Sequence, residues 1–266
     1  MPMNTRTDNQ SLVSFFIWIV IISIPFWLMG MMIQVELPIK LPLSALMAFN
    51  PMIVALVFTY RAEGMIGVKA LLGRIFDFKR IQQKRWYGVI FLFMPIIAIF
   101  EFAFIVLFRD DITELQLPIL VGIPIFFLFF IAACGEELGW QAYGYDRLAN
   151  GRSALEAGII LGVIWAVWHI IPYIQTSDTL IWVFWQCMVT ILLRILIVWV
   201  YVNTGKSAFS AIVFHSMINV SAFLFPNYGS YYDPFVATIV VGVAVAVIVA
   251  LWGKTLANYQ YAKSTR

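Results

Sequence analysis

The sequence predicts an all-α fold: a polytopic transmembrane helix bundle of about eight spans. Three observations carry this. Of 266 residues, 62% are hydrophobic and only 12% charged, against roughly 25% charged in ordinary soluble domains; mean hydropathy is +0.91. Apolar stretches long enough for spans of about 20 residues recur at roughly 11–34, 41–60, 86–108, 118–140, 155–174, 179–202, 207–225 and 235–253. Strand-period alternation is absent, and a lipid-exposed segment satisfies its backbone only as a helix or in a closed barrel.

The first span follows ten residues with a single basic one, Arg6. It is too long for a signal-peptide core and lacks a small-x-small cleavage site, so it reads as a retained anchor. The connection between the second and third spans carries Arg61, Lys69, Arg74, Lys79, Arg80, Lys84 and Arg85. Among them Val68, Leu71, Leu72, Ile75 and Phe78 recur at helical spacing, which suits either a helix lying flat on an anionic leaflet or an ordinary basic loop. The next connection sets Arg109 against Asp110, Asp111 and Glu114. The alternation continues with Arg147 and Arg152, then Asp178, then Lys206, then Asp233, and finally Lys254, Lys263 and Arg266. Since lysine and arginine accumulate on the cytoplasmic side, both termini are expected to be cytoplasmic.

No linker, repeat or low-complexity tract divides the chain, which reads as one membrane domain over residues 1–266. A net charge of +3 spread over many loops is not a nucleic-acid footprint. The partner this composition implies is the lipid bilayer. Cys134 and Cys187 lie inside spans and read as small apolar residues.

Polar groups inside spans mark the functional core, because an acid in lipid costs a few kcal/mol and faces a protein interior or wet cavity. The stretch CGEELGWQ at 134–141 places Glu136 and Glu137 after fifteen uncharged residues, Ile119 to Ala133. The two histidines of the chain also fall in spans, as Trp165-x-x-x-His169 and His215-x-x-x-Asn219. Residues four apart share a helix face, so each histidine has a defined neighbour one turn away. Glu101 in the third span and Arg194 in the sixth are also costly in lipid, and are expected to pair with each other or with backbone carbonyls.

Glu-Glu, then aromatic-x-x-x-His, then His-x-x-x-Asn, on an eight-span chain, resembles the CPBP (Abi) family of CAAX-processing and bacteriocin-processing membrane proteases, type II CAAX prenyl proteases included. The resemblance covers residues 118–225. It implies a catalytic Glu136, a first histidine at His169 and a last pair of His215 and Asn219, with Glu137, Gln141 and Trp165 in support. It also implies a metal-independent glutamate mechanism with no cofactor. One position departs: the motif Glu-Glu-x-x-x-Arg ends here in Gln141.

The chemistry the resemblance implies is peptide-bond hydrolysis in a peptide or membrane-protein substrate near the cytoplasmic membrane face. Glu136 would serve as general base and then acid, with His169 holding the water. His215 and the Asn219 amide would donate to the oxyanion, at about 3 kcal/mol per donor. HExxH, GxSxG and a GxGD partner for Tyr145-Asp146 are all absent. Two histidines and a glutamate also match a catalytic zinc set, which keeps zinc as the alternative chemistry. Gln141 keeps a second reading open, a non-hydrolytic scaffold or bacteriocin-immunity protein; a transporter is the third.

Overall fold

Among the described residues, seven helical stretches are long and apolar enough to cross a membrane, and an eighth apolar helix is shorter. The computed structural model describes residues 5–33, 36–37, 41–109, 112, 115–176 and 179–257. Asp110, Asp111, Glu114, Asp178, Lys263, Arg266 and the side chain of Arg6, all used above for orientation, lie outside the described residues.

The helices are α1 (Thr5–Met32), α2 (Asn50–Gly73), α3 (Arg85–Phe108), α4 (Gly122–Glu137), the one-turn α5 (Asp146–Leu148), α6 (Ala154–Thr176), α7 (Leu180–Asn203), α8 (Ala208–Phe223) and α9 (Pro234–Trp252). A two-rung antiparallel ladder, β1 (Glu36–Leu37) with β2 (Leu41–Pro42), closes the turn after α1. Between α4 and α5 the chain winds as a π-helix, Leu138–Tyr145. The helix starts carry polar caps that the apolar pattern does not reveal. Ser153 and Glu156 bond each other's backbone N–H groups before α6 at 3.3 and 3.0 Å, a reciprocal capping box. Ser207 accepts from Ser210 N at α8, and Asp233 accepts from Phe235 N at α9, where Pro234 takes the first helical position.

The second span was expected to end near residue 60. Instead α2 runs to Gly73 across a break at Gly64, whose φ of 65° only glycine adopts freely. Beyond the break Gly67 and Leu71 turn inward, while Ile66, Leu72, Phe76 and Phe78 stay exposed beside Lys69, Lys79 and Arg80. The basic connection is therefore largely helical and not an extended loop.

At 16 residues, α8 covers about 24 Å, yet it traverses the bundle. Its entry is tied to residues before α3, where Arg80 Nη1 donates to the Gly205 carbonyl at 3.3 Å. Its exit is tied to residues after α3, where Asn227 N donates to the Gln116 carbonyl at 2.9 Å. It packs against α3 and α4, while α7 lies between α6 and α9 and the π-helical segment against α2. Burial on nearly every side of α8 makes it the central helix, and it carries His215.

Candidate active site

Glu136 and Glu137 end α4 where the winding changes to π, and all eight residues of the π-helical segment are buried. Two glycines let this stretch sit directly on α2. A Cβ on Gly139 would collide with the Pro51 backbone, and one on Gly135 would lie 2.6 Å from the Ala48 carbonyl oxygen. π-Winding is rare and usually accompanies function, because it shifts the register of the side chains that follow. Here it is braced from outside the segment. Arg74 donates to the Ala142 carbonyl at 2.9 Å, to Asp146 Oδ2 at 3.1 Å, to the Tyr201 hydroxyl at 2.5 Å and to the Lys206 carbonyl at 2.8 Å. Three residues on, Asp77 accepts from Ser207 Oγ and from the backbone N–H groups of Ala208 and Phe209 at 2.7–3.2 Å, capping α8. The basic connection thus positions both segments that bear the glutamates and His215.

Glu137 is fully buried between two partners. Arg194 Nη1 donates to Oε2 at 2.7 Å and His215 Nδ1 lies 2.7 Å from Oε1. Side-chain exposure is 0% for both members of the ion pair, so each charge depends on the other for its solvation. This corrects the expected Arg194–Glu101 or carbonyl pairing: the α7 arginine belongs to the Glu-Glu motif. Gln141 is also fully buried, and neither of its amide atoms has a hydrogen-bond partner among the described residues. The cation that the family pattern puts at position 141 therefore reaches Glu137 from another helix.

Trp165 is the hub. Its Nε1 donates to Glu136 Oε2 at 2.7 Å, its ring meets the edges of His169 and His215 with centroids 5.2 and 5.3 Å apart, and the Arg194 guanidinium lies 4.0 Å above it. That last contact gives the remaining guanidinium N–H groups a π face. His169 Nδ1 sits 2.9 Å from the Trp165 carbonyl. A carbonyl only accepts, so Nδ1 carries a proton, and in the neutral ring Nε2 keeps its lone pair. Trp168 against one side of the ring, at 4.7 Å, and a stacked Tyr173, at 5.4 Å, hold that orientation. His169 stands within electrostatic reach of Glu136, His215 and Arg194.

The structure thus gathers Glu136, Glu137, His169 and His215 around Trp165, with Arg194 added. Asn219, half-buried one turn beyond His215, makes no side-chain hydrogen bond to another described residue. Among the described residues, no three His, Cys, Asp or Glu side chains cluster closely enough to hold a metal ion. Arg194, Arg74 and Asp77 were not expected at the site. Arg194 had a legible signal: an arginine in lipid requires an acid, and the motif lacking its own arginine offered one.

Residues 118–221 match the family described as type II CAAX prenyl endopeptidase, Rce1-like. The chain is 30% identical over 193 residues to CAAX prenyl protease 2 of Methanococcus maripaludis, covering 67% of this chain and 70% of that protein.

Proposed function

This chain belongs to the Rce1-like family of type II CAAX prenyl endopeptidases, and on that premise we propose that it cuts a peptide bond near the cytoplasmic membrane face with a glutamate-activated water. It is an integral, multi-pass membrane endopeptidase. The relative's name assigns CAAX prenyl proteolysis to that protein; the same substrate class, a C-terminal Cys-a-a-X peptide with a lipidated cysteine, is proposed here.

The observation that carries the reading is the asymmetry at Glu136. One carboxylate oxygen accepts from Trp165 at 2.7 Å, and the other has no partner among the described residues. A water bonded to that free oxygen and to His169 Nε2 gives up a proton to Glu136 as its oxygen attacks the peptide carbonyl carbon. The oxyanion accepts from the Asn219 amide and from His215 Nε2–H. Nδ1 of His215 already faces Glu137, so the ring turns Nε2 to the oxyanion. The proton on Glu136 then passes to the leaving nitrogen as the C–N bond breaks. Glu137 and Arg194 orient the ring and touch no substrate atom.

The cytoplasmic orientation draws on the loops that share one end of the bundle through Arg74, Asp146, Tyr201 and Lys206; these contain Arg147 and Arg152, in keeping with cytoplasmic accumulation of basic residues. Both termini would then be cytoplasmic. The scaffold or immunity reading rested on Gln141, and the Arg194–Glu137 pair weakens that ground by supplying the charge otherwise. Zinc has no role in the proposed cycle. The test is purified protein in liposomes with a farnesylated peptide ending in Cys-a-a-X, read by mass spectrometry. Release of the last three residues, unchanged by a chelator, is expected. Absence of cleavage, or cleavage lost to the chelator and restored by zinc, overturns the reading.

A further inference from the structure

Away from the candidate active site, α3, α7, α8, α9 and the turn after α8 line a partly open pocket of about 40 Å³. Its walls are mostly apolar, including Met94, Leu193, Ile218 and Phe225, but three polar side chains reach it: Glu101, Ser221 and Tyr232. Glu101 is 6% exposed and has no hydrogen bond or ion pair among the described residues. Ser221 is 8% exposed and its hydroxyl has no partner there. The Tyr232 hydroxyl donates to Gln186 Oε1 at 3.0 Å, which leaves its oxygen free to accept. Two buried, unpartnered polar side chains lining one pocket are unusual, since nearly all buried polar groups find partners.

Size and chemistry together select the occupant. An engineered apolar cavity that binds benzene measures about 150 Å³ and stays dry, whereas a water needs only about 10–15 Å³ and two to four polar partners. A space of about 40 Å³ is too small for an organic guest and room enough for roughly three waters. A single carboxyl among aliphatic walls falls short of the six or more oxygens that calcium takes. Position also favours water: Glu101 lies seven residues, about 10 Å, from the end of α3 at Phe108, below a turn that bears Tyr232.

We infer that Glu101, Ser221 and Tyr232 form a second polar site within the membrane-spanning bundle, whose ligand is a small cluster of ordered water. The site shares α7 and α8 with the catalytic candidates, and Ser221 stands about 9 Å along α8 from His215. It does not rest on the peptidase reading, because its occupancy is measured without turnover.

Synchrotron hydroxyl-radical footprinting tests it, since radicals born in trapped water label adjacent side chains. Pairs of similarly buried residues of the same type provide the control: Met94 in the pocket wall at 5% exposure against Met47 outside it at 2%, and Phe225 at 2% against Phe214 at 0%. The wall residues are expected to label about tenfold faster than their controls. Glu101→Leu should bring Met94 down to the rate of Met47, whereas Glu101→Gln, which keeps the polar contacts, should not. Equal labelling of wall and control residues in the wild-type protein overturns the site. Unchanged Met94 labelling in a folded Glu101→Leu protein overturns the role of Glu101.

Discussion

At the residue scale, the site is a set of short bonds around one indole. Trp165→Phe keeps a ring between the two histidines and removes the N–H that holds Glu136. A hydrogen bond to a charged group contributes about 1.5–3 kcal/mol, so kcat is expected to fall roughly 10- to 100-fold with little change in KM. Steady-state cleavage kinetics check this, and a kcat within twofold of wild type would contradict it. Arg194→Gln leaves Glu137 buried without its cation, an imbalance of about 3–5 kcal/mol, and should lower Tm and cleavage together. Adding Gln141→Arg should restore part of both, because the new guanidinium stands about one turn from Glu137; thermal unfolding of the two variants decides it. Glu136, Glu137, His169, His215, Asn219 and Trp165 were all legible as polar or aromatic groups at helical spacing in apolar spans. What was not legible was partnership across helices. Arg194 lies 57 residues from Glu137, and helical periodicity says nothing about which interior faces meet.

At the element scale, the least legible feature was the π-helical segment Leu138–Tyr145. Its composition is that of any buried helix, and the bracing comes from Arg74, which reads in sequence as one cation among seven in a positive-inside connection. The break in α2 had a cue in Gly64, but a glycine in an apolar helix is equally often a packing position. The capping role of Asp77 was hidden because its partners, Ser207 to Phe209, are 130–132 residues away. Asp77→Ala removes a cap of about 1–2 kcal/mol. It should lower Tm and speed hydrogen exchange at the amides of residues 208–210, leaving those of α9 unaffected. Equal protection of the α8 amides in both proteins would mean that the cap does not hold the helix.

At the scale of the whole molecule, composition and span length sufficed for an all-α, polytopic bundle, because lipid permits so few alternatives. The predicted spans agree with the helices to within a few residues, except where α1 starts earlier, α2 runs on to Gly73 and the fourth span continues through the π-helical segment to Leu148. The chain's membership of a CAAX prenyl endopeptidase family matches the resemblance carried by three motifs, whereas the mutual placement of those motifs came only from the fold. The most direct test of the central proposal is the cleavage rate of Glu136→Gln on the farnesylated peptide, measured beside its thermal unfolding. The substitution is nearly isosteric, keeps an oxygen for Trp165 and removes only the base. Cleavage is expected to fall by at least the roughly 10²–10⁴-fold that a positioned acid–base group contributes, with Tm little changed. A folded Glu136→Gln protein that cleaves at the wild-type rate would contradict it.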